Sequence, residues 1–138
     1  MKQIIYILTS ILIFTSCSQI SSEKKQITQI KNEKLIGFKT MFLSELGDDK
    51  YDKLEQELKK EKIEVKYLND IIYVSYLDEL NGCGRYDGNI ETIGDTIKLK
   101  VNLVSDEVCA SILIKRITFL IDNPDEKKKL IKKIKNSH

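Results

Sequence analysis

Thr96-Ile97-Lys98-Leu99-Lys100-Val101-Asn102-Leu103-Val104 decides the fold, because apolar and polar residues alternate along it almost without a break. A period of two belongs to an extended chain with one buried face, here Ile97, Leu99, Val101 and Leu103. Upstream, Tyr86 to Ile93 joins it through Gly94-Asp95, and a Gly-X pair is the signature of a two-residue type II′ hairpin turn. Counting back from that turn sets Thr92 opposite Ile97, Ile90 opposite Leu99, Gly88 opposite Val101 and Tyr86 opposite Leu103. Glu91 then faces Lys98 on the other side. A slip of one residue breaks both faces at once, so the turn and the pattern support the same register.

Downstream, Ser105-Asp106-Glu107 supplies turn residues, and Val108 to Ile121 reads as a third long strand expected to pair back on Thr96 to Val104. Ile112 and Ile114 fall on one face, whereas Ile117, Phe119 and Ile121 fall on the other. Either a bulge near Lys115-Arg116 absorbs the change of phase or the strand is buried on both sides.

Ahead of the hairpin, Ile63, Val65 and Tyr67 alternate with Glu64 and Lys66, and Asn69-Asp70 reverses the chain into Ile71 to Leu77. That run is apolar on both faces and is expected inside the sheet, covered by a helix. The helix itself is expected from about Asp49 to Glu61, with Asp48 or Asp49 as cap, a stripe of Tyr51, Leu54 and Leu58, and lysines at its end. Asp48, Asp49 and Asp52 lack the spacing, internal Gly and distal Glu of an EF-hand loop, so they read as capping charges. Leu35 to Leu46 fits a helix containing Gly37 or a strand and a turn; the helix is favoured, and either form must pack against the body.

Asn123-Pro124-Asp125-Glu126 has the form of a helix start, which makes Asp125 to His138 a basic C-terminal helix or tail. Its lysines form a solvated face, or one attracted to an anionic membrane surface or an acidic envelope polymer. The expected body, residues 31–138, is therefore a single small α+β domain. It has a mainly antiparallel sheet of about five strands with one or two packing helices.

The chain begins with Lys2 and an apolar run from Ile4 to Phe14, shorter than the roughly 20 residues a membrane-spanning helix needs. Phe14-Thr15-Ser16-Cys17 resembles the lipobox of bacterial lipoproteins, with Phe14 in place of the usual Leu. The alternative is a plain secretory signal with cleavage nearby. The resemblance implies a signal peptide over residues 1–16, lipid on Cys17 as the lipid attachment site, and a protein tethered to membrane. Ser18 stands where Asp would resemble an inner-membrane retention signal, so the expected location is the outer membrane of a double-membrane cell. Residues 17–30, rich in Ser, Gln and Lys, suit a solvated tether.

With Cys17 assigned to lipid, Cys83 and Cys109 remain as an even pair in an oxidising compartment, where a disulfide is the default. Their spacing excludes close metal-ligand motifs such as Cys-x-x-Cys. The bridge brings Gly82 to Asp87 against Ser105 to Cys109 and makes that end of the sheet the expected partner site. Arg85 and Tyr86 are its first candidates, since Arg and Tyr are enriched where binding energy concentrates; Tyr86 also fits a core position opposite Leu103.

Catalysis has little to work with. The single histidine is His138 at the chain end, so no Ser-His-Asp set exists, and Asp87, Asp106, Glu107 and Arg85 occupy ordinary turn and edge positions. No cofactor loop, metal-ligand spacing or nucleic-acid surface is present in the sequence, and a net charge of +2 singles out no partner. The sequence reads as a non-enzymatic envelope lipoprotein acting as a small binding or structural module. The alternative is an inhibitor or immunity-type protein against a hydrolase or toxin. The hairpin is similar to β-rich lysozyme-inhibitor and META-type lipoprotein domains only in a strand with Gly and Tyr, a tight turn and a later Cys, features that name no family.

Overall fold

The computed structural model describes residues 31–134; the expected signal peptide of residues 1–16, Cys17, the expected tether of residues 17–30, and residues 135–138 lie outside the described residues. Among the described residues, seven strands and one helix follow in the order β1 (Leu35–Glu45), α1 (Tyr51–Lys59), β2 (Ile63–Leu68), β3 (Ile71–Asn81), β4 (Tyr86–Ile93), β5 (Thr96–Leu103), β6 (Ile112–Asp122) and β7 (Leu130–Lys133). They form a four-stranded sheet, β1-β6-β3-β2, and a three-stranded sheet, β4-β5-β7. Every pairing is antiparallel except β5 with β7.

The β4–β5 hairpin has the register read from the sequence, from Tyr86 opposite Leu103 to Ile93 opposite Thr96. Gly94 opens its turn at φ +55°, a conformation that glycine reaches without a steric penalty. The β2–β3 reversal also holds, with Leu68 opposite Ile71 and Asn69 at φ +52°.

Several expectations are corrected, the first being the count, since seven strands in two sheets stand in place of one sheet of about five. The strand after the hairpin does not return to β5; β6 lies in the other sheet between β1 and β3. Ile117, Phe119 and Ile121 are fully buried facing the smaller sheet, while Ile114, in the other phase, is fully buried on the opposite face, where Arg116, Thr118 and Leu120 are only partly covered. The predicted bulge near Lys115-Arg116 is likewise displaced. β6 pairs with β3 from Ile112 to Asp122 without a shift, and the odd residue, Leu43, lies in β1 opposite Lys115 and Ile114. A bulge in an edge strand interrupts one ladder, whereas in a central strand it interrupts two.

Leu35 to Glu45 is a strand rather than a helix. Gly37 costs a helix about 1 kcal/mol relative to Ala, and β6 needs a second neighbour for its backbone groups. At the other terminus, Leu130–Lys133 is strand β7 rather than part of a basic helix, because the second edge of β5 is open and Ile131 alternates onto the core.

The helix is short and contains no buried residue, so the second layer is the smaller sheet and not a helix. Lys50, not an aspartate, precedes α1 and makes no side-chain cap. The Asp48 carboxylate instead accepts hydrogen bonds from the Glu45 N–H at 2.9 Å and from the Ser44 hydroxyl at 3.1 Å, closing the turn out of β1.

The core lies between the sheets. Leu35, Ile72, Val74, Tyr76, Ile117, Phe119 and Ile121 face Ile90, Ile97, Leu99 and Val101. Phe119 meets Phe38 edge-on at 5.1 Å and stacks with Tyr76 at 6.4 Å. One margin closes where the Phe38 ring packs on Gly88, so tightly that a methyl group at position 88 would overlap the ring. The opposite margin closes through the Tyr67 hydroxyl, which donates to the Lys129 carbonyl at 2.8 Å and accepts the Lys129 N–H at 3.0 Å.

Candidate functional site at the disulfide end

β1 fixes the polarity of the body. Leu35 pairs beside Ile121 at the end holding the β2–β3 and β4–β5 turns, while Glu45 pairs with Leu113 at the end holding Asn81, Tyr86 and Ile112. The strand has 11 residues and spans roughly 35 Å at about 3.3 Å per residue. The chain therefore enters at one end, and the cysteines lie at the other.

Cys83 and Cys109 are bonded, with Cα atoms 5.7 Å apart. Asn81 adds a second connection through its side chain. Its Oδ1 accepts the N–H groups of Cys83 and Cys109, each at 3.1 Å, and its Nδ2 donates to the Cys109 carbonyl. In the sequence, Asn81-Gly82 has only the form of a break in the chain. What it did carry is an amide side chain, able to donate and accept at once, two residues before a bridging cysteine.

The two loops meet as expected. The Arg85 N–H donates to the Ser105 hydroxyl at 2.9 Å, and the Val104 N–H to the Arg85 carbonyl at 2.8 Å. The two candidate side chains then diverge in role. Arg85 is exposed and contributes its backbone to the loop junction. Tyr86 is half-buried against the core, and its hydroxyl accepts the Asn81 N–H at 2.7 Å. Burial pushes the Tyr86 hydroxyl above its ordinary pKa, although the Asn81 backbone contact acts in the opposite sense. Asp87, Asp106 and Glu107 are exposed.

Past Tyr76 the sheets diverge, because β2 begins opposite Tyr76 and β7 covers β5 only as far as Leu99. The resulting mouth is an open cavity of about 1290 Å³. Leu58, Leu80, Leu103, Val108, Ile112 and Ile134 give it apolar walls. Leu103, Val108 and Ile112 are exposed there, Val108 at 62%.

Its charged lining is mixed, with Glu61, Asp78 and Glu79 beside Lys59 and Lys133. Lys133 pairs with Asp78 at 3.1 Å and lies 5.0 Å over the Tyr76 ring. Burial, reinforced by Asp78, strongly raises the Tyr76 hydroxyl pKa. Lys115, opposite Asp78 across β3 and β6, is only 8% exposed. Its ammonium reaches the Asn81 carbonyl at 3.5 Å and lies 5.3 Å from the Tyr86 ring centre. Among the described residues no group of three metal-ligating side chains occurs. No family model matches the chain, and no curated protein or solved structure matches it.

Proposed function

We propose that this chain is an envelope lipoprotein, anchored by lipid on Cys17, that presents a small binding module by its far end. The observation that carries this reading is the opposition of the two ends: the chain enters at Leu35, and the cavity with its pinned loops lies at the other end of β1. A lipid on Cys17 then attaches the body through the end remote from the mouth. Loops fixed by a disulfide and by Asn81 lose little entropy on binding. The lipobox-like Phe14-Thr15-Ser16-Cys17 and the absence of Asp at position 18 support an exported protein on the outer membrane.

Cell fractionation with mass spectrometry of the mature N-terminus tests the anchor. The native protein partitions with membranes and carries lipid on Cys17, and Cys17→Ala releases it or blocks its processing. An unmodified N-terminus beyond residue 17 overturns the reading. The inhibitor or immunity reading is favoured by one observation, the exposed Val104 and Val108 on the disulfide-pinned loop. A stoichiometric hydrolase cross-linked to a photoreactive group at position 108 would establish that reading in place of the first.

A further inference from the structure

The exposed apolar side chains at the disulfide end form one strip. Leu103, Val108 and Ile112 stand in the wall of the mouth, and Ile112 also borders a smaller hollow of about 270 Å³ shared with Leu46 and Ala110. Leu46 is 79% exposed and Val108 62%. Each stands on a loop that the fold fixes. Leu46 follows Ser44 and Glu45, whose hydroxyl and N–H both donate to the Asp48 carboxylate. Val108 precedes the bridged Cys109, and beside Ile112 the Ser111 carbonyl accepts the Gly82 N–H at 2.8 Å. Apolar residues held in water on fixed loops gain from being covered, and such loops have little entropy left to lose.

The charge around the strip is one-sided. Residues 45–50, 82–87 and 104–111 carry exposed carboxylates on Glu45, Asp48, Asp49, Asp87, Asp106 and Glu107, against Lys50 and Arg85. The neighbouring segment 51–62 has as many lysines as carboxylates and does not offset them. In the mouth, Asp78 pairs with Lys133 and Glu79 adds a negative charge, while Lys115 is buried against Tyr86. The whole chain is +2, so this end is acidic in a slightly basic protein.

We infer that the disulfide end docks a basic protein, one that sets an apolar side chain on the strip between Leu46 and Val108 and surrounds it with Lys or Arg. This rests on the binding-module reading and names the partner class. A second copy across a twofold axis would bring carboxylates against carboxylates, and an anionic lipid surface would be repelled by the same rim. An apolar centre with complementary charge around it is the usual build of a protein interface, in which the charge sets partner choice.

A photoreactive side chain at position 108 of the full chain, in the cells that make it, tests the inference. The same group at position 93, exposed at the Leu35 end, is the comparison. Position 108 captures one protein in stoichiometric yield, with an isoelectric point above about 9, and position 93 does not capture it. Titration calorimetry of that protein, purified, against the full chain carrying Cys17→Ser gives at least tenfold weaker binding when NaCl rises from about 50 mM to about 300 mM. Asp49→Lys with Glu107→Lys weakens binding at least tenfold at the lower salt, whereas Glu33→Lys at the Leu35 end leaves it unchanged. Val108→Gln weakens it at least tenfold at both salt concentrations. All four positions are exposed, so each variant melts with the parent. An acidic protein, a second copy of the chain or a lipid as the adduct at position 108 overturns the inference and leaves the binding-module reading standing. So does a basic partner indifferent to salt and to the lysine substitutions at 49 and 107. No adduct at position 108 overturns both. The anchor is read separately, from the mature N-terminus.

Discussion

The two ends of this sandwich are built from the same strands and finished differently. At the Leu35 end, turns join β2 to β3 and β4 to β5, and backbone bonds join the segments: Asn123 N–H to the Asp70 carbonyl at 2.6 Å and Leu130 N–H to the Asp95 carbonyl at 2.8 Å. At the disulfide end the sheets separate, and side chains do the joining: Asn81, Tyr86, Ser105 and the Cys83–Cys109 bridge. Backbone closure leaves no room for a ligand, whereas side-chain closure holds loops in place around an open cavity. One end is a lid on the core and the other is a frame.

The largest effect should come from removing what both ends share. Phe119 is fully buried and touches Phe38 and Tyr76, so Phe119→Ala should cost about 3–5 kcal/mol in denaturant unfolding. Val108→Ala, at the exposed wall of the mouth, should change stability by less than about 0.5 kcal/mol. Equal losses would show that the mouth is closed in solution.

Removing the bridge separates frame from lid. Cys83→Ser with Cys109→Ser should lower stability by about 3 kcal/mol on the loop-entropy estimate for cysteines 26 residues apart. Hydrogen exchange should then quicken at Val104 to Cys109 and stay slow at Ile90 and Leu99. Uniform loosening of the hairpin would contradict a frame that is local to one end.

That hairpin was legible in the sequence because everything it needs is adjacent: an alternating run, a Gly-Asp turn and a partner strand next to it. β1 and β7 were not legible, since each is a strand only because a distant edge lacks a partner. Leu35 to Glu45 completes β6, and Leu130 to Lys133 completes β5. Local propensity does not register such vacancies. β6 was read as a strand but assigned to the wrong sheet, because short loops make sequence neighbours the default partners and the segment after Leu103 crosses to the other sheet instead. In the candidate site, the disulfide and the meeting of its loops followed from counting cysteines. The buried Lys115 did not, although it lies in phase with Ile117, Phe119 and Ile121 on the core face. The change of phase between Ile114 and Ile117 reads as a bulge near Lys115-Arg116, whereas the register shift lies in the neighbouring strand, between Phe42 and Ser44.

A smaller effect tests the lid. Tyr67→Phe removes the hydroxyl that joins β2 to Lys129 at the margin, a partly exposed pair of hydrogen bonds, and should cost about 1 kcal/mol. The loss should appear as faster exchange at the Lys129 and Leu130 amides, with Cys83 and Cys109 unaffected. A change confined to the disulfide end would mean that the two ends are coupled through the core.

The smallest effect belongs to the outer face of the hairpin, which serves neither end. The sequence placed Lys98 opposite Glu91, and the register agrees, but the ion pair forms diagonally, from Glu91 to Lys100 at 3.1 Å. The Lys100 hydrogen bond and charge hold the Glu91 carboxyl below its ordinary 4.5. A carboxyl whose folded pKa is depressed contributes stability that is fully present above the unfolded value. That contribution is lost as pH falls through the folded value. Stability should therefore be flat in this respect at neutral pH and decline below about 4.5. Glu91→Gln should remove a small part of that acid dependence and leave neutral-pH stability nearly unchanged, because exposed pairs contribute little. Urea unfolding of both proteins at pH 7 and at pH 3 measures the difference. If the variant loses as much stability between those two pH values as the parent does, the pair makes no contribution, and the hairpin is held by its turn and its buried face alone.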